Sequence, residues 1–280
     1  MLMTMDVAIV AAYALGLFAI AQWVSREPAG QRKDAQGYFL AGKALPWWAI
    51  GASLIAANIS AEQIIGMSGS GYAIGLAIAS YEWMAAFTLL LVGKFFLPIF
   101  LRAGIYTMPQ FLAQRYDERV KTVMAVFWLG VYTLVNLTSI LWLGALAINT
   151  VAGVDLSIGL MALGVFALAY SLYGGLRAVA LTDIIQVTLL VAGGLMISWI
   201  LLDQIGDGRG PIAGFVALSD QAPEKFEMIL AQDHAHYMSL PGLSVLLGGM
   251  WIMNLSYWGF NQYIIQRALA AKSIDEAQKG

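Results

Sequence analysis

Residues 47–75 read WWAIGASLIAANISAEQIIGMSGSGYAIG, and the fold turns on how this stretch is understood. It is long and apolar enough to cross a bilayer, for which about 20 residues suffice. Its middle has the wrong composition for a plain span. Asn58, Ser60, Glu62 and Gln63 crowd together at what would be mid-depth, among the small residues Ala56, Ala57 and Ala61. An ionisable group there costs at least a few kcal/mol unless it faces protein or water, so it marks a functional site by default. A helix that unwinds at such a point frees backbone carbonyls for a cation and side chains for a polar solute. Simple interhelical hydrogen bonding is the plainer reading, but four polar groups exceed what it needs.

The remainder of the chain supports a membrane setting. It is 60% hydrophobic and 11% charged, with a mean hydropathy of +0.74, against about 25% charged in ordinary soluble domains. This predicts an all-α integral membrane protein. Cysteine is absent, which excludes a disulfide framework, a thiol nucleophile and a cysteine metal site. Seven apolar segments can be drawn, at roughly 5–24, 47–72, 75–101, 120–149, 156–174, 179–202 and 241–267.

Most of the 15 Lys and Arg fall in one alternating set of links. Arg26, Arg32, Lys33 and Lys43 follow the first segment, and Arg102, Arg115, Arg119 and Lys121 the third. Arg177 follows the fifth, and Arg267, Lys272 and Lys279 the seventh. The opposite set holds only Arg209 and Lys225, with Lys94 inside the third segment near its basic end. The positive-inside bias predicts those basic links in the cytoplasm and the N-terminus outside. The first segment lacks a positive n-region and is longer than a signal h-region, so it reads as a retained helix.

Further polar groups punctuate the spans. Gly66, Gly69, Gly71 and Gly75, with Ser68 and Ser70, form a permissive turn. They do not form a phosphate loop, for which no Lys-Ser/Thr accompanies them. Glu82, between Tyr81 and Trp83, is the second intramembrane carboxylate; hydrogen-bonding a hydroxylated solute suits it better than a glycosidase role. Residues 104–121 read as a short interfacial helix, and Asn136, Thr138 and Ser139 as interhelical hydrogen-bonding groups. Asp183 suits either a helix start or a cation-attracting position near the inner exit. Residues 203–240 form an outer acidic loop whose His234 and His236 have no obvious third metal ligand. The last segment repeats the style of 47–72: Asn254, Ser256, Tyr257, Asn261 and Gln262 interrupt an apolar run containing Gly248, Gly249 and Gly259. Paired, interrupted spans of this kind point to a transporter's binding site, and a complete seven-helix receptor predicts no such echo.

The stretches SLIAANISAEQIIGMSGSGYAIGLAIASYEWM, VNLTS, ALTDIIQV and NLSYWGFNQYIIQRALAAKS resemble the sodium/solute symporter family, in its bacterial sodium–galactose (sodium/glucose-type) branch. The resemblance implies the leucine-transporter-type fold of two inverted five-helix repeats preceded by one extra helix. The extra helix and its cytoplasmic link would occupy 1–46, the first repeat 47–202, the outer loop 203–240, and the first helix of a second repeat 241–280. It further implies sodium-coupled symport of a sugar by alternating access in a bacterial inner membrane, with no enzymatic step. Gln63, Glu82 and Asn254 would hydrogen-bond sugar hydroxyls, with Asn58 in support. Tyr257 would stack on the pyranose as an inner gate, and Met67 and Tyr81 would close the outer side. The carbonyls of Ala56 and Ile59 would contribute to a sodium site, and Asp183 would attract sodium leaving inward. Sodium, a sugar and the lipid bilayer are the expected partners, and nucleic acid is not among them.

There are departures. Ala85 stands where galactose-transporting relatives carry Ser, and Ser256 where they carry a second Tyr. The remaining helices of a second repeat would supply side-chain sodium ligands and further sugar contacts, so these 280 residues alone are expected not to transport. The spans offer no Arg, which favours a neutral solute over a carboxylate such as a sialic acid. From a different class, symporter-like membrane domains also serve as sensory input modules.

Overall fold

The computed structural model describes residues 4–24, 35–60, 62–240 and 242–280. Arg26, Arg32, Lys33 and Ala61 lie outside them, and so does the side chain of Glu62. Every regular element among the described residues is helical, apart from one isolated bridge between Leu45 and Ala271.

Helix α1 (Thr4–Val24) is apolar on all sides and mostly exposed, as expected of a helix whose surroundings are lipid. After a short α2 (Ala35–Leu40), Pro46 in an extended conformation starts α3 (Trp47–Asn58). That helix ends where the polar residues begin: Ile59 turns to φ −88°, ψ 114°. The chain resumes as a π turn, Glu62–Met67, which runs into α4 (Ser68–Ile74) at 66° to α3. The stretch 47–74 is therefore a broken segment.

Gly75 ends α4, and the next arm is one continuous run of 26 residues to Arg102. It comprises α5 (Ala77–Leu91), a π turn Val92–Phe96 and α6 (Leu97–Arg102). The predicted interfacial helix is α7 (Met108–Arg115), opened by a Thr107/Gln110 capping box. A second long run, Glu118–Ala152, joins α8 (Glu118–Val131) to α9 (Leu137–Ala152) through the π turn Tyr132–Asn136. Asp117 caps its start, and Gly153, left-handed at φ 69°, ends it. The run α10 (Leu156–Ile205) is interrupted at Gly175 (φ 60°), where a Cβ would press within 3.0 Å of the Tyr38 carbonyl oxygen.

The segment 203–240, expected as an outer acidic loop, is largely helical at its start. Gly210-Pro211 opens α11 (Pro211–Gln221), which lies against α10 so closely that Gly214 has no room for a Cβ beside the Leu202 carbonyl. The final segment is α12 (Gly242–Leu247), α13 (Gly249–Leu255), a π turn Ser256–Phe260 and α14 (Gln262–Leu269), followed by α15 (Ile274–Lys279).

Among the described residues, four helices are long and apolar enough to cross a membrane: Thr4–Val24, Ala77–Arg102, Glu118–Ala152 and Gly175–Ile205. Counting the bent pair 47–74 as one span makes five. Of the other two segments in the seven-span reading, Leu156–Ala169 is an apolar helix below that length, and 241–267 is divided at Gly248 and Asn261.

Among the described residues, the links around Lys43, Tyr106 and Lys272 gather at one end. Lys43 lies 6.0 Å from the centroid of the Tyr106 ring, and Leu45 exchanges main-chain hydrogen bonds with Ala270 and Lys272. The main core sits at this end, where Leu40, Ile50, Phe100, Ile264 and Leu269 are fully buried. Phe100 packs edge-to-face on Phe111 and Phe260, with centroids at 5.0 and 5.8 Å. Elsewhere large apolar side chains face outward, including Leu15, Trp83 and Leu195.

Candidate functional site

The polar residues of the two interrupted segments meet in one cavity of about 380 Å³, within the usual range for small-molecule sites. From the first segment come Asn58, Ser60 and Gln63, and from α5 Glu82. The last segment supplies Asn254, Tyr257, Trp258 and Tyr263, and the π turn of the α8–α9 run Asn136, with Ser139 beyond it. All five predicted solute-binding residues, Asn58, Gln63, Glu82, Asn254 and Tyr257, therefore line a single space.

The geometry follows from how each break is satisfied. Past Asn58, the Ser60 N–H that a continuous helix would send to the Ala56 carbonyl donates instead to Gln63 Oε1 at 2.8 Å. The Ser60 hydroxyl donates to the same oxygen, also at 2.8 Å. Gln63 thus caps the break from below, leaving its amide nitrogen as a donor. Ile59, already extended, still donates to Ile55 at 3.0 Å. The Ala56 carbonyl is thereby relieved of its usual helical donor, as an oxygen ligand for a hard cation requires.

Across the cavity, Tyr257 donates to Asn58 Oδ1 at 2.9 Å and lies 2.8 Å from the Tyr263 hydroxyl. A phenol has one proton, so Tyr263 must donate to Tyr257, and the chain runs Tyr263 to Tyr257 to Asn58. Buried Asn254 donates to its own helix at the Met250 carbonyl, 3.0 Å away, and keeps its side-chain oxygen as an acceptor. Among the described residues, Glu82 is the sole carboxylate lining the cavity, and no cationic side chain joins it there. Donors, acceptors and aromatic faces with so little charge suit a neutral hydroxylated solute.

The predicted gate residues divide. Tyr257 is in the cavity wall, whereas Met67 and Tyr81 are not. Tyr81 packs at the opposite end from the basic links with Ala77, Leu230 and Leu240, its hydroxyl buried without a hydrogen-bond partner. Asp183 lies well away from open solvent, 7% exposed. It accepts a hydrogen bond from Ser53 and stands 4.0 Å from Arg267. Arg267 also donates to Ser53 at 3.0 Å and to the Tyr263 carbonyl.

Reading the sequence did not anticipate several of these positions. Arg267, expected in a cytoplasmic basic link, has its side chain largely buried; Ile264 and Ile265 just before it are the available signal. Asn136 and Ser139, expected to bridge helices, face the cavity, and Ser139 donates to the Asn136 carbonyl at 3.2 Å. Tyr263 is separated from Tyr257 by a break at Asn261, so no helical periodicity relates them. His234 and His236 lie side by side, and no group of three metal-binding side chains occurs among the described residues.

Comparison with known proteins supplies the context. Residues 38–280 match the sodium:solute symporter family. A sodium/glucose cotransporter of Vibrio parahaemolyticus is 58% identical over 275 residues, covering 98% of this chain and 51% of that protein. Sodium/myo-inositol cotransporter 2 of Homo sapiens is 32% identical over 284 residues, covering 98% of this chain and 42% of that protein. The chain thus spans about half the length of the curated relatives it matches. Among solved structures, a Na+-coupled sialic acid symporter in a substrate-bound outward-open state aligns with a TM-score of 0.81 at 23% identity. The alignment covers 97% of this chain and 54% of that one, and establishes a shared fold.

Proposed function

Because the chain belongs to the sodium:solute symporter family, we propose that it forms part of a sodium-coupled sugar symporter working by alternating access. The observation that carries this reading is the convergence of Asn58, Gln63, Glu82, Asn254 and Tyr257 on one weakly charged cavity. Gln63, Glu82 and Asn254 bind sugar hydroxyls, Asn58 holds the Tyr257 hydroxyl, and the Tyr257 ring covers the pyranose on the inner side. Met67 and Tyr81 close the outer side. Sodium takes the carbonyls of Ala56 and Ile59 as part of its shell. Asp183 draws the ion inward, in competition with Arg267 for the carboxylate.

In this reading the fold is the leucine-transporter type with seven spans in this stretch, the broken segment 47–74 and the interrupted segment 242–269 being equivalent helices of two inverted repeats. Residues 1–46 form the extra helix and link, 47–202 the first repeat, 203–240 the outer segment and 241–280 the start of the second. The basic end faces the cytoplasm of a bacterial inner membrane and the N-terminus lies outside. A membrane potential of 100 mV supplies about 2.3 kcal/mol per sodium, enough for roughly fiftyfold accumulation of a neutral solute. The relatives named above are cotransporters, in keeping with a non-enzymatic role.

Uptake of labelled galactose and glucose into proteoliposomes bearing the native gene product tests this. Uptake in sodium but not in choline is expected. Equal uptake in both would sink the coupling, and sodium-dependent uptake of myo-inositol alone would reassign the solute.

A further inference from the structure

The hairpin whose arms carry Gln63 and Glu82 is fastened at its tip by a residue that does not line the cavity. Gly75 is the tip. Its φ is +90°, and a Cβ there would stand 2.4 Å from the carbonyl oxygen of Lys225. The backbone of the outer segment is therefore pressed directly onto the turn, at a position only glycine can fill.

Two sets of bonds hold it. The Leu76 N–H, at the start of the α5 arm, donates to the Lys225 carbonyl at 2.7 Å. The Lys225 ammonium donates to the carbonyls of Ala73 at 2.7 Å and Tyr72 at 3.1 Å, in the last turn of α4. Those carbonyls have no further helical N–H groups to serve them, and they form the negative end of the helix dipole. One residue thus grips both arms, the first through its side chain and the second through its backbone. Further along the same segment, Leu230 and Leu240 are buried with Ala77 against Ile78 and Tyr81. The fastening therefore continues into a small apolar seal over the outer end of the hairpin.

A lysine capping a helix on an idle surface loop would make the first contact alone. Here the grip falls on the hairpin that presents two of the five polar residues converging in the cavity. We propose that Lys225 is a positioning residue for the solute: by fixing the angle between α4 and α5 it sets how Gln63 and Glu82 face each other. It touches neither solute nor ion. The inference rests on the solute-binding reading of the cavity.

The test compares Lys225→Met, Lys225→Gln and Lys225→Arg in the native gene product, reconstituted for sodium-dependent sugar uptake. Lys225→Met should raise the sugar KM about tenfold, the value of one charge-assisted hydrogen bond. The maximal rate and the sodium half-saturation should change little, because Ala56 and Ile59 lie on the other side of the bend. Lys225→Gln, a neutral donor, should fall between, and Lys225→Arg should restore the wild-type KM. As an independent readout, Ile78→Cys in a cysteine-free background should react with an impermeant maleimide faster when combined with Lys225→Met.

A sugar KM unchanged in Lys225→Met, beside normal wild-type uptake, overturns the positioning role alone. Loss of maximal rate with KM intact overturns it too, since that is what a merely structural cap would give. Absence of sodium-dependent uptake in the wild type removes the cavity reading and the positioning role together. Labelling of Ile78→Cys that ignores Lys225 refutes the fastening itself.

Discussion

The two interrupted segments solve the same problem in opposite ways. At the first break, beyond Asn58, Gln63 of the same segment bonds Ser60, and Tyr257 reaches across to Asn58. At the second, beyond Phe260, the chain is clasped from several directions. Asn261 is buried, accepts from Tyr132 at 2.7 Å and caps the Tyr263 N–H. The Gln262 N–H donates to the Tyr132 hydroxyl at 3.1 Å, and Gln262 Oε1 accepts from the Met108 N–H at 2.7 Å. The first break diverts the Ser60 N–H from the Ala56 carbonyl, whereas the second is fixed by side chains from α7 and the α8–α9 run.

Removing the tie between the two segments should have the largest effect. Arg267→Met strands Asp183 in a buried site, and loss of one partner of such a pair costs about 3–5 kcal/mol. A large fall in thermal stability in detergent is expected, partly recovered by adding Asp183→Asn; no recovery would mean that Arg267 acts by packing alone. Next, Asn261→Ala at the clasped break should cost about 2 kcal/mol, since it removes a cap and leaves the Tyr132 O–H without its acceptor. The matching change at the open break, Ser60→Ala, should cost about 1 kcal/mol or less in stability while altering sodium half-saturation. Equal stability losses at the two sites would erase the distinction.

Smaller effects belong to the cavity. Gln63→Ala should raise the sugar KM about five- to tenfold, as one hydrogen bond of roughly 1 kcal/mol to the solute is lost, and should also cost about 1 kcal/mol or more in stability by stranding the Ser60 N–H. Tyr257→Phe keeps the ring but releases Asn58 and Tyr263, and should alter KM by about fivefold or less. A loss of all uptake in Tyr257→Phe would show that the hydroxyl chain, rather than the ring, does the gating.

How far the sequence revealed this comparison depended on the range of the contacts. The first break was legible because Asn58, Ser60 and Gln63 are near neighbours in the chain and their polarity contradicts their surroundings. The convergence of Gln63, Glu82 and Asn254 followed from the family resemblance, since spacing alone relates none of them. The clasp on the second break was not legible: Tyr132 and Met108 are remote from Asn261 and Gln262, and a tyrosine in an apolar run looks like packing. Arg267 was misread because composition records that a charge sits near a span end, not whether it turns inward. The α11 helix was obscured for a different reason, as Gly210 and Pro211 signal a turn as readily as a helix start.

The four π turns carry a consequence for how such chains diverge. Each holds one residue more than the α-helix around it, and three of them supply a cavity residue, Gln63, Asn136 and Tyr257; Val92 of the fourth lies against Gly259 of the last. Deleting a single residue in such a turn would restore regular winding and rotate everything beyond it by about 100°. Insertions and deletions ordinarily accumulate in surface loops. Here single-residue length changes buried within helices would redirect which side chains line the cavity, making chain length inside the spans a heritable source of new cavity chemistry.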